Sequence, residues 1–184
     1  SDVCSSDLWT QISCGYYHTL AIQSNGTLWS WGYNNRGQLG TSDTTNRYSP
    51  VQIGSNLWTQ VACGYQQTVA IQSGGTLWAW GYNLYGQLGT SDIVYRSSPV
   101  QIGSNLWTQV ANGYYHTVAI QTNSTLWAWG ENVNAQLGTS DLTNRSSPVQ
   151  IGSNVWKQVA CGYNFTSAIQ SGGTLWEWGL NTYG

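Results

Sequence analysis

Short runs of alternating apolar and polar residues recur along the chain, each bounded by glycine, proline, serine or asparagine. β-Branched and aromatic residues dominate these runs, which is typical of strands joined by tight turns. Within residues 58–106 the predicted strands are 58–63 (WTQVAC), 68–72 (TVAIQ), 77–81 (LWAWG) and 99–102 (PVQI). A glycine-rich turn at 73–76 joins the second and third strands, a long loop at 82–98 joins the third and fourth, and residues 103–105 turn into the next segment.

The same pattern returns every 49 residues, and the first two repeats are identical at 36 of 49 positions. A tryptophan opens each unit, at Trp9, Trp58, Trp107 and Trp156. Four antiparallel strands repeated at this spacing are typical of β-propeller blades. The sequence therefore predicts an all-β protein built from four-stranded antiparallel sheets. The predicted units are 9–57, 58–106, 107–155 and a partial fourth unit, 156–184.

A specific motif recurs within the units. It reads LWAWGYNLYGQLG at 77–89, with CG at 63–64 and TVAI at 68–71 before it and SPV at 98–100 after it. These residues resemble the chromosome-condensation-regulator repeat family, and the resemblance covers residues 9–184. It implies a seven-bladed propeller, of which this chain would supply about 3.75 blades. We therefore expect the chain to be an incomplete fragment of a longer protein.

The first eight residues match nothing in the units. Residues 1–8 read SDVCSSDL, and codons for them can spell a string that resembles a common sequencing-library adapter. We interpret residues 1–8 as such a scar, with a disordered leader as the alternative, and exclude them from the fold.

Charged residues make up only 7% of the chain, and the formal net charge is −2. Without Asp2 and Asp7 of the excluded segment, the units carry five acidic and five basic residues. Nucleic acids and anionic membranes attract clustered Lys and Arg, so we predict neither as a partner. No apolar run approaches the roughly 20 residues of a membrane span. The sequence is compatible with a cytoplasmic and with an extracellular location.

Side chains that could carry chemistry repeat with the units instead of converging on one place. His18 and His116 share a position that holds Gln67 and Phe165 in the other units, so a catalytic base is not maintained there. No paired carboxylates, phosphate-binding loop or metal-ligand spacing occurs elsewhere. We therefore predict no catalytic residue, no cofactor and no metal, and a protein that is not an enzyme.

Cysteines and Asp–Arg pairs also repeat at fixed positions. Equivalent positions on adjacent blades are too far apart for disulfides, so we expect small buried thiols. The aspartates each precede an arginine by four residues, which predicts ion pairs inside the long loop. The residues are Cys14, Cys63 and Cys161, and the pairs Asp43–Arg47, Asp92–Arg96 and Asp141–Arg145.

Differences between units concentrate in two connections. Eight of the 13 differences between the first two units fall between the first and second strands or in the long third-to-fourth loop. Since antiparallel strands alternate in direction, both connections emerge on one side of the propeller, which we call the loop face. Loops on a rigid scaffold often bind partners, although unconstrained loops also drift. We interpret the variation as partner binding by Tyr17, His18, Asn35, Arg36, Gln66, Gln67, Leu84, Tyr85, Tyr95, Tyr115, His116, Val133, Asn134, Asn164 and Phe165.

The sequence thus favours a non-catalytic scaffold that binds a protein or peptide through the loop face, where tyrosine and arginine are typical anchors. Two alternatives stay open. The resemblance implies guanine-nucleotide exchange on a small GTPase, which in the family depends on a wedge inserted into a blade, whereas three full units here keep the 49-residue spacing. A polar composition rich in tryptophan and tyrosine also suits a secreted carbohydrate-binding propeller, with Tyr85 or Tyr95 stacking on sugars.

An incomplete propeller leaves the outer faces of its end blades uncovered. Apolar surfaces of that kind drive association. We therefore expect the isolated chain to self-associate.

Overall fold

The computed structural model describes residues 8–182, and among them every regular element is a strand. The strands are β1 Trp9–Cys14, β2 His18–Gln23, β3 Thr27–Gly32, β4 Arg47–Cys63, β5 Gln67–Gln72, β6 Thr76–Gly81, β7 Arg96–Asn112, β8 His116–Gln121, β9 Leu126–Gly130, β10 Arg145–Gln150, β11 Trp156–Cys161, β12 Phe165–Gln170 and β13 Leu175–Gly179. Neighbouring strands pair antiparallel in chain order, β1 to β10 in one hydrogen-bonded series and β11 to β13 in another. The predicted all-β propeller architecture is confirmed. No helix within the described range could cross a membrane.

The interpretation of residues 1–8 as an adapter scar or leader falls, except for Leu8, outside the described residues.

At the first two connections the fourth strand of one blade continues directly into the first strand of the next, whereas β10 and β11 are separate strands with 151–155 between them. β4 and β7 are each 17 residues long, whereas the sequence predicted separate strands with a turn at 103–105. Gly103 has a φ of +58°, a left-handed conformation that bends the chain while its neighbours stay extended. Val100, before this bend, pairs with β6, and Val110, after it, pairs with β8. One long strand therefore serves two blades and connects them.

Tryptophan and branched aliphatic side chains fill the space between blades. At the first interface Leu28, Trp58, Val61 and Trp80 are all buried in one cluster. The Trp58 ring meets the rings of Trp78 and Trp80 edge-on, with centroids 6.3 Å and 5.9 Å apart. Edge-to-face contact of this kind adds to the free energy of apolar burial. Equivalent clusters fill the two following interfaces.

A single backbone carbonyl joins each blade to the next. The Gln38 carbonyl accepts hydrogen bonds from Thr68 Oγ1 at 2.8 Å and from Trp80 Nε1 at 3.0 Å. Buried donors must find acceptors, and this carbonyl satisfies two donors from the following blade. The same pair of bonds recurs at the carbonyls of Gln87 and Gln136.

The first strands of neighbouring blades are also joined through glutamine side chains. Gln11 Oε1 accepts from the Val61 backbone N–H at 2.9 Å, and Gln60 Oε1 accepts from that of Val110 at 3.1 Å. Gln109 repeats the contact with Val159 at 3.2 Å. Each glutamine accepts from a backbone N–H of the following blade that the antiparallel pairing within that following blade leaves free.

The two end blades each present a face that no blade of this chain covers. Ile12 is 65% exposed, whereas its counterparts Val61 and Val110 are 4% exposed. Leu175, on the opposite end, is 68% exposed, whereas its counterpart Leu77 is fully buried. An apolar hollow of about 610 Å³ lies on the uncovered face of the first blade.

We predict that the isolated 184-residue chain associates through these faces. The uncovered face of the last blade normally packs against a first-strand face like the one that the first blade leaves uncovered. We therefore expect the last blade of one copy to pack against the first blade of another, in a head-to-tail arrangement. Multi-angle light scattering should give masses above 20.2 kDa, and Ile12→Glu should shift the population toward the monomer. Leu142→Glu, which adds the same charge to an exposed loop position, should leave the distribution unchanged. A monodisperse wild-type monomer would contradict this prediction.

Candidate protein-interaction site

One buried asparagine organises each long loop on the loop face. In the second blade, Asn83 Oδ1 accepts the Leu88 backbone N–H at 2.9 Å. Asn83 Nδ2 lies within 3.2 Å of Thr90 Oγ1, of the Asp92 carbonyl and carboxylate, and of the Val94 carbonyl. Asn34 and Asn132 occupy the same position in their loops. This network explains why asparagine follows the WG pair of the repeated motif.

The predicted loop ion pairs are confirmed. Arg47 Nη2 lies 2.5 Å from Asp43 Oδ2, and the pair recurs at Asp92–Arg96 and Asp141–Arg145. The Thr45 backbone N–H, with the Arg47 guanidinium, lowers the pKa of the Asp43 carboxyl. These three arginines are therefore occupied within their own loops.

Glycine at the start of the GQLG motif allows adjacent loops to touch. Gly86 has a φ of +79°, and a Cβ there would lie 2.4 Å from Ser146 Cα, at the start of β10 where the next long loop ends. Ser91 in turn donates its backbone N–H to the Ser146 carbonyl at 2.8 Å. Ala135 holds this position in the third blade with a φ of +60°. The described residues place no following loop against it. The long loops thus form a continuous rim.

A ladder of tyrosines runs across the blades at the first-to-second connections. The backbone N–H of Tyr16 donates to the Tyr65 carbonyl, that of Tyr65 to Tyr114, and that of Tyr114 to Tyr163, at 3.0–3.3 Å. Ring centroids along the ladder are 4.9, 4.3 and 4.0 Å apart. The backbone bonds bring successive rings into contact; Tyr114 and Tyr163 are stacked with an interplanar angle of 23°, and the two preceding pairs are tilted by 47° and 37°.

Further tyrosines extend this ladder into a larger surface. Tyr115 lies 5.5 Å from Tyr65, 4.7 Å from Tyr85 and 5.4 Å from Tyr82. Tyr82 also contacts Tyr95 at 4.9 Å. All members are linked by ring contacts, and we call them the tyrosine cluster: Tyr16, Tyr17, Tyr33, Tyr65, Tyr82, Tyr85, Tyr95, Tyr114, Tyr115 and Tyr163.

A cleft of about 810 Å³ opens within this surface, between the first two blades. Residues from the first-to-second connections and from the long loops both line it, so the two connections do share a face. The lining residues are Tyr17, Gly32, Tyr33, Asn35, Arg36, Asn46, Tyr48, Tyr65, Gln66, Tyr82 and Tyr115. Arg36 lies over the rings of Tyr82 and Tyr95, its guanidinium carbon 5.9 Å and 5.2 Å from their centroids.

The phenols of Tyr82 and Tyr115 carry no negative charge near neutral pH. Burial raises the pKa of Tyr82 and of Tyr115 above the ordinary value for tyrosine. Neither Asp nor Glu lines the cleft. The third blade has Glu131 in place of Tyr82. Burial raises the pKa of that carboxyl, which accepts a hydrogen bond from Gln136 Nε2 at 3.2 Å.

Three of the fifteen residues proposed from the sequence are not available to a partner. His18 is 2% exposed, and Gln67 and His116 are fully buried. His18 Nε2 lies 3.1 Å from Thr68 Oγ1, and Gln67 Nε2 donates to the Gly113 and Tyr114 carbonyls, so these side chains contact the next blade. Their inclusion in the binding set was wrong because the following blade covers the first residue of the second strand.

The other twelve proposed residues divide by position. Those that line the cleft are Tyr17, Asn35, Arg36, Gln66 and Tyr115. Tyr85 and Tyr95 lie beside it through their ring contacts with Tyr82. Asn164 and Phe165 line a separate hollow on the last blade. The remaining three, which line neither hollow and have no ring contact with the cleft, are Leu84, Val133 and Asn134.

Comparison of units missed much of the cleft because it searched for differences. Tyr33 and Tyr82 are equivalent positions that are identical in the first two units, as are Tyr16 and Tyr65. A search for differences between units therefore does not select them. A tyrosine repeated directly after glycine in every unit was the signal that could have revealed the ladder.

The thiols differ in environment from blade to blade. Among the described residues Cys14, Cys63 and Cys161 are free. Cys63 is buried as expected, whereas Cys14 is exposed, since β1 is the first strand of the described residues and no earlier blade among them packs against it. Burial raises the pKa of the Cys63 thiol to about 12. Within residues 8–182 no three His, Cys, Asp or Glu side chains gather as a metal-binding group would.

Known proteins share both the repeat and the fold. The mitochondrial RCC1 domain-containing protein RUG3 of Arabidopsis thaliana is 48% identical over 44 residues, 24% of this chain and 10% of RUG3. Human WBSCR16 superposes with a TM-score of 0.86 at 23% identity, covering 96% of this chain and 48% of WBSCR16. Yeast RCC1 (Prp20) superposes with a TM-score of 0.85 at 20% identity, covering 97% of this chain and 45% of Prp20. The chain thus spans just under half of these solved chains, and its match covers about a tenth of RUG3.

Two sequence models of the regulator of chromosome condensation (RCC1) repeat match along the chain. One matches residues 25–71, 74–120 and 123–169. The other matches residues 9–38, 58–87, 107–136 and 156–184. Together with the blade architecture, these matches show that the chain belongs to the regulator of chromosome condensation (RCC1) repeat family.

Proposed function

We propose that this chain is a non-catalytic protein-interaction scaffold whose partner binds over the cleft and the tyrosine cluster. The observation that carries the proposal is the linked surface of ten tyrosines on the loop face. Tyrosine supplies large, rigid contact area at low entropic cost and is enriched in protein interfaces. The aromatic surface surrounds an open cleft instead of filling a core.

Variation between blades supports the same proposal. One position of the long loop has Arg36 in the first unit, Tyr85 in the second and Asn134 in the third. Each blade therefore offers a partner a different side chain, while the connections between blades stay the same. In a binding scaffold, surface loops can change their side chains while the residues that pack the blades together are kept.

Guanine-nucleotide exchange is the second candidate, and the fold similarity to yeast RCC1 favours it. Prp20p of Saccharomyces cerevisiae, described with binding properties to Gsp1p and histones, superposes on this chain with a TM-score of 0.82. We rank exchange second because three successive units keep the 49-residue spacing without an inserted segment.

Capture experiments with three matched baits test the proposal. The baits are the wild-type chain, a loop-face variant (Tyr17→Ala, Tyr85→Ala, Tyr95→Ala) and an opposite-face variant (Asn25→Ala, Ser73→Ala, Thr122→Ala), each checked for folding by circular dichroism. Partners captured by the wild type and by the opposite-face variant should be lost from the loop-face variant. Equal capture by all three would show the proposal to be wrong. Faster release of fluorescent GDP from Gsp1p in the presence of the chain would favour exchange instead.

A further inference from the structure

We propose that the cleft recognises a peptide segment through one carboxylate, with Arg36 as the residue that binds it. This inference rests on the proposed function, since it names the chemistry of the partner on the same surface. The occupant is an extended segment of a protein partner that carries an Asp or Glu side chain or ends in a free carboxylate.

Arg36 differs from the other arginines in having no carboxylate partner. Arg47, Arg96 and Arg145 each pair with the aspartate of their own loop. Within residues 8–182 no ion pair involves Arg36, and its buried Nε has no hydrogen-bond partner. A buried guanidinium donor without an acceptor is costly, so an incoming carboxylate would be strongly favoured there.

Two tyrosine rings hold the guanidinium at the cleft. Its carbon lies 5.2 Å from the Tyr95 centroid and 5.9 Å from that of Tyr82. Cation–π contact orients the planar group without consuming its hydrogen-bond donors. The guanidinium of Arg36 is therefore positioned at the cleft to bind an oxygen anion.

The rest of the cleft fits a peptide better than a polyanion. Its lining has no Asp or Glu, and Arg36 is its one basic residue. Amide groups of Asn35, Asn46 and Gln66 lie in the same lining and match the donors and acceptors of a peptide backbone. A nucleic acid would need several basic contacts along its phosphates. A single cation among neutral aromatic rings suits one carboxylate.

A phage-displayed library of random 12-residue peptides, selected on the intact chain, tests this inference. Recovered peptides should carry an Asp, a Glu or a free C-terminal carboxylate at a shared place. Converting that group to its amide should weaken binding about tenfold or more, the loss of one charge-assisted hydrogen bond. Arg36→Gln should cost the same factor, and the double change should cost no more than either alone.

Lys157→Gln is the matched control, because Lys157 is an exposed basic residue on the last blade with no ion-pair partner in the described residues. It removes the same charge as Arg36→Gln and should leave affinity unchanged. Equal losses from both variants would overturn the inference in favour of general electrostatics. Peptides that no longer bind the loop-face variant, but whose carboxylate shows no coupling to Arg36 in the double change, would overturn this inference and leave the proposed function standing. No enriched peptide, or peptides indifferent to the loop-face variant, would overturn the proposed function as well.

Discussion

Replacing His18 and His116 with glutamine is expected to abolish most of the decrease in stability that the chain undergoes between pH 6.5 and pH 4. Burial lowers the pKa of each imidazole from 6.5 to about 4. Within that window the unfolded chain binds more protons than the folded chain, so the free energy of unfolding falls as the pH falls. Each histidine accounts for about 3 kcal/mol of loss at pH 4, and its contribution to the slope fades out above about pH 7.5.

Glutamine is a suitable replacement because the second blade already has Gln67 at this position. Its Nε2 donates to the carbonyls of Gly113 and Tyr114 on the following blade. Glutamine at position 18 would find the equivalent carbonyls of Gly64 and Tyr65, so the variant should fold at neutral pH.

Urea unfolding followed by tryptophan fluorescence at pH values from 4 to 7 gives the measurement. Asp43, Asp92 and Asp141 have lowered pKa values, and Glu131 a raised one. The aspartates lose stabilisation as the pH falls, whereas Glu131 loses it as the pH rises. Both trends remain in wild type and variant and cancel in the difference. Gln67→His should steepen the acid slope. An unchanged slope in the double glutamine variant would mean that the imidazoles are protonated in the folded state.

Asn83→Ala should lower the free energy of unfolding by about 3 kcal/mol or more, because it removes the centre of a buried hydrogen-bond network. The Leu88 backbone N–H would lose its only acceptor, and Thr90, Asp92 and Val94 would lose their common donor. Since the loop carries Tyr85 and Tyr95, partner binding should fall with stability. Urea midpoints at pH 7 give the size of the loss.

Leu84→Ala is the matched control, because it alters the next residue of the same loop, where the side chain is exposed. It should change stability by no more than about 0.5 kcal/mol. Asn83→Asp keeps the acceptor for Leu88 but places a carboxylate beside that of Asp92. It should therefore destabilise the chain more at pH 7 than at pH 4. Equal midpoints for Asn83→Ala and Leu84→Ala would show that the loop is held by its ion pair alone.

The sequence predicted the blades well because their pattern depends on local alternation and on a motif repeated at one period. It predicted a turn at 103–105 because glycine, serine and asparagine usually mark turns. In the structure Gly103 has a positive φ, and β7 runs without a break from residues paired with β6 to residues paired with β8. The extended conformation of this segment goes with strand pairing on either side of it, which local composition does not reveal.

The candidate site was only partly predictable, for a related reason. His18 and Tyr17 are adjacent and both differ between units, yet one is buried against the next blade and the other is exposed. Variation alone does not separate a surface contact from an interior position that accepts several side chains. The tyrosine ladder was missed because its spacing depends on backbone hydrogen bonds between blades, which no single unit contains.

The blade-to-blade connection through the Gln38, Gln87 and Gln136 carbonyls has an evolutionary consequence. Its acceptor is a backbone atom, and its donors are a threonine and a tryptophan present at the same place in each following unit. Recombination between units would therefore join one blade to another in frame, with this carbonyl connection formed again by the same residue types. Such exchange would place residues such as Arg36, Tyr85 and Asn134 in new orders along the series of blades. New binding surfaces could therefore arise in this protein by exchange of whole blades as well as by point mutation.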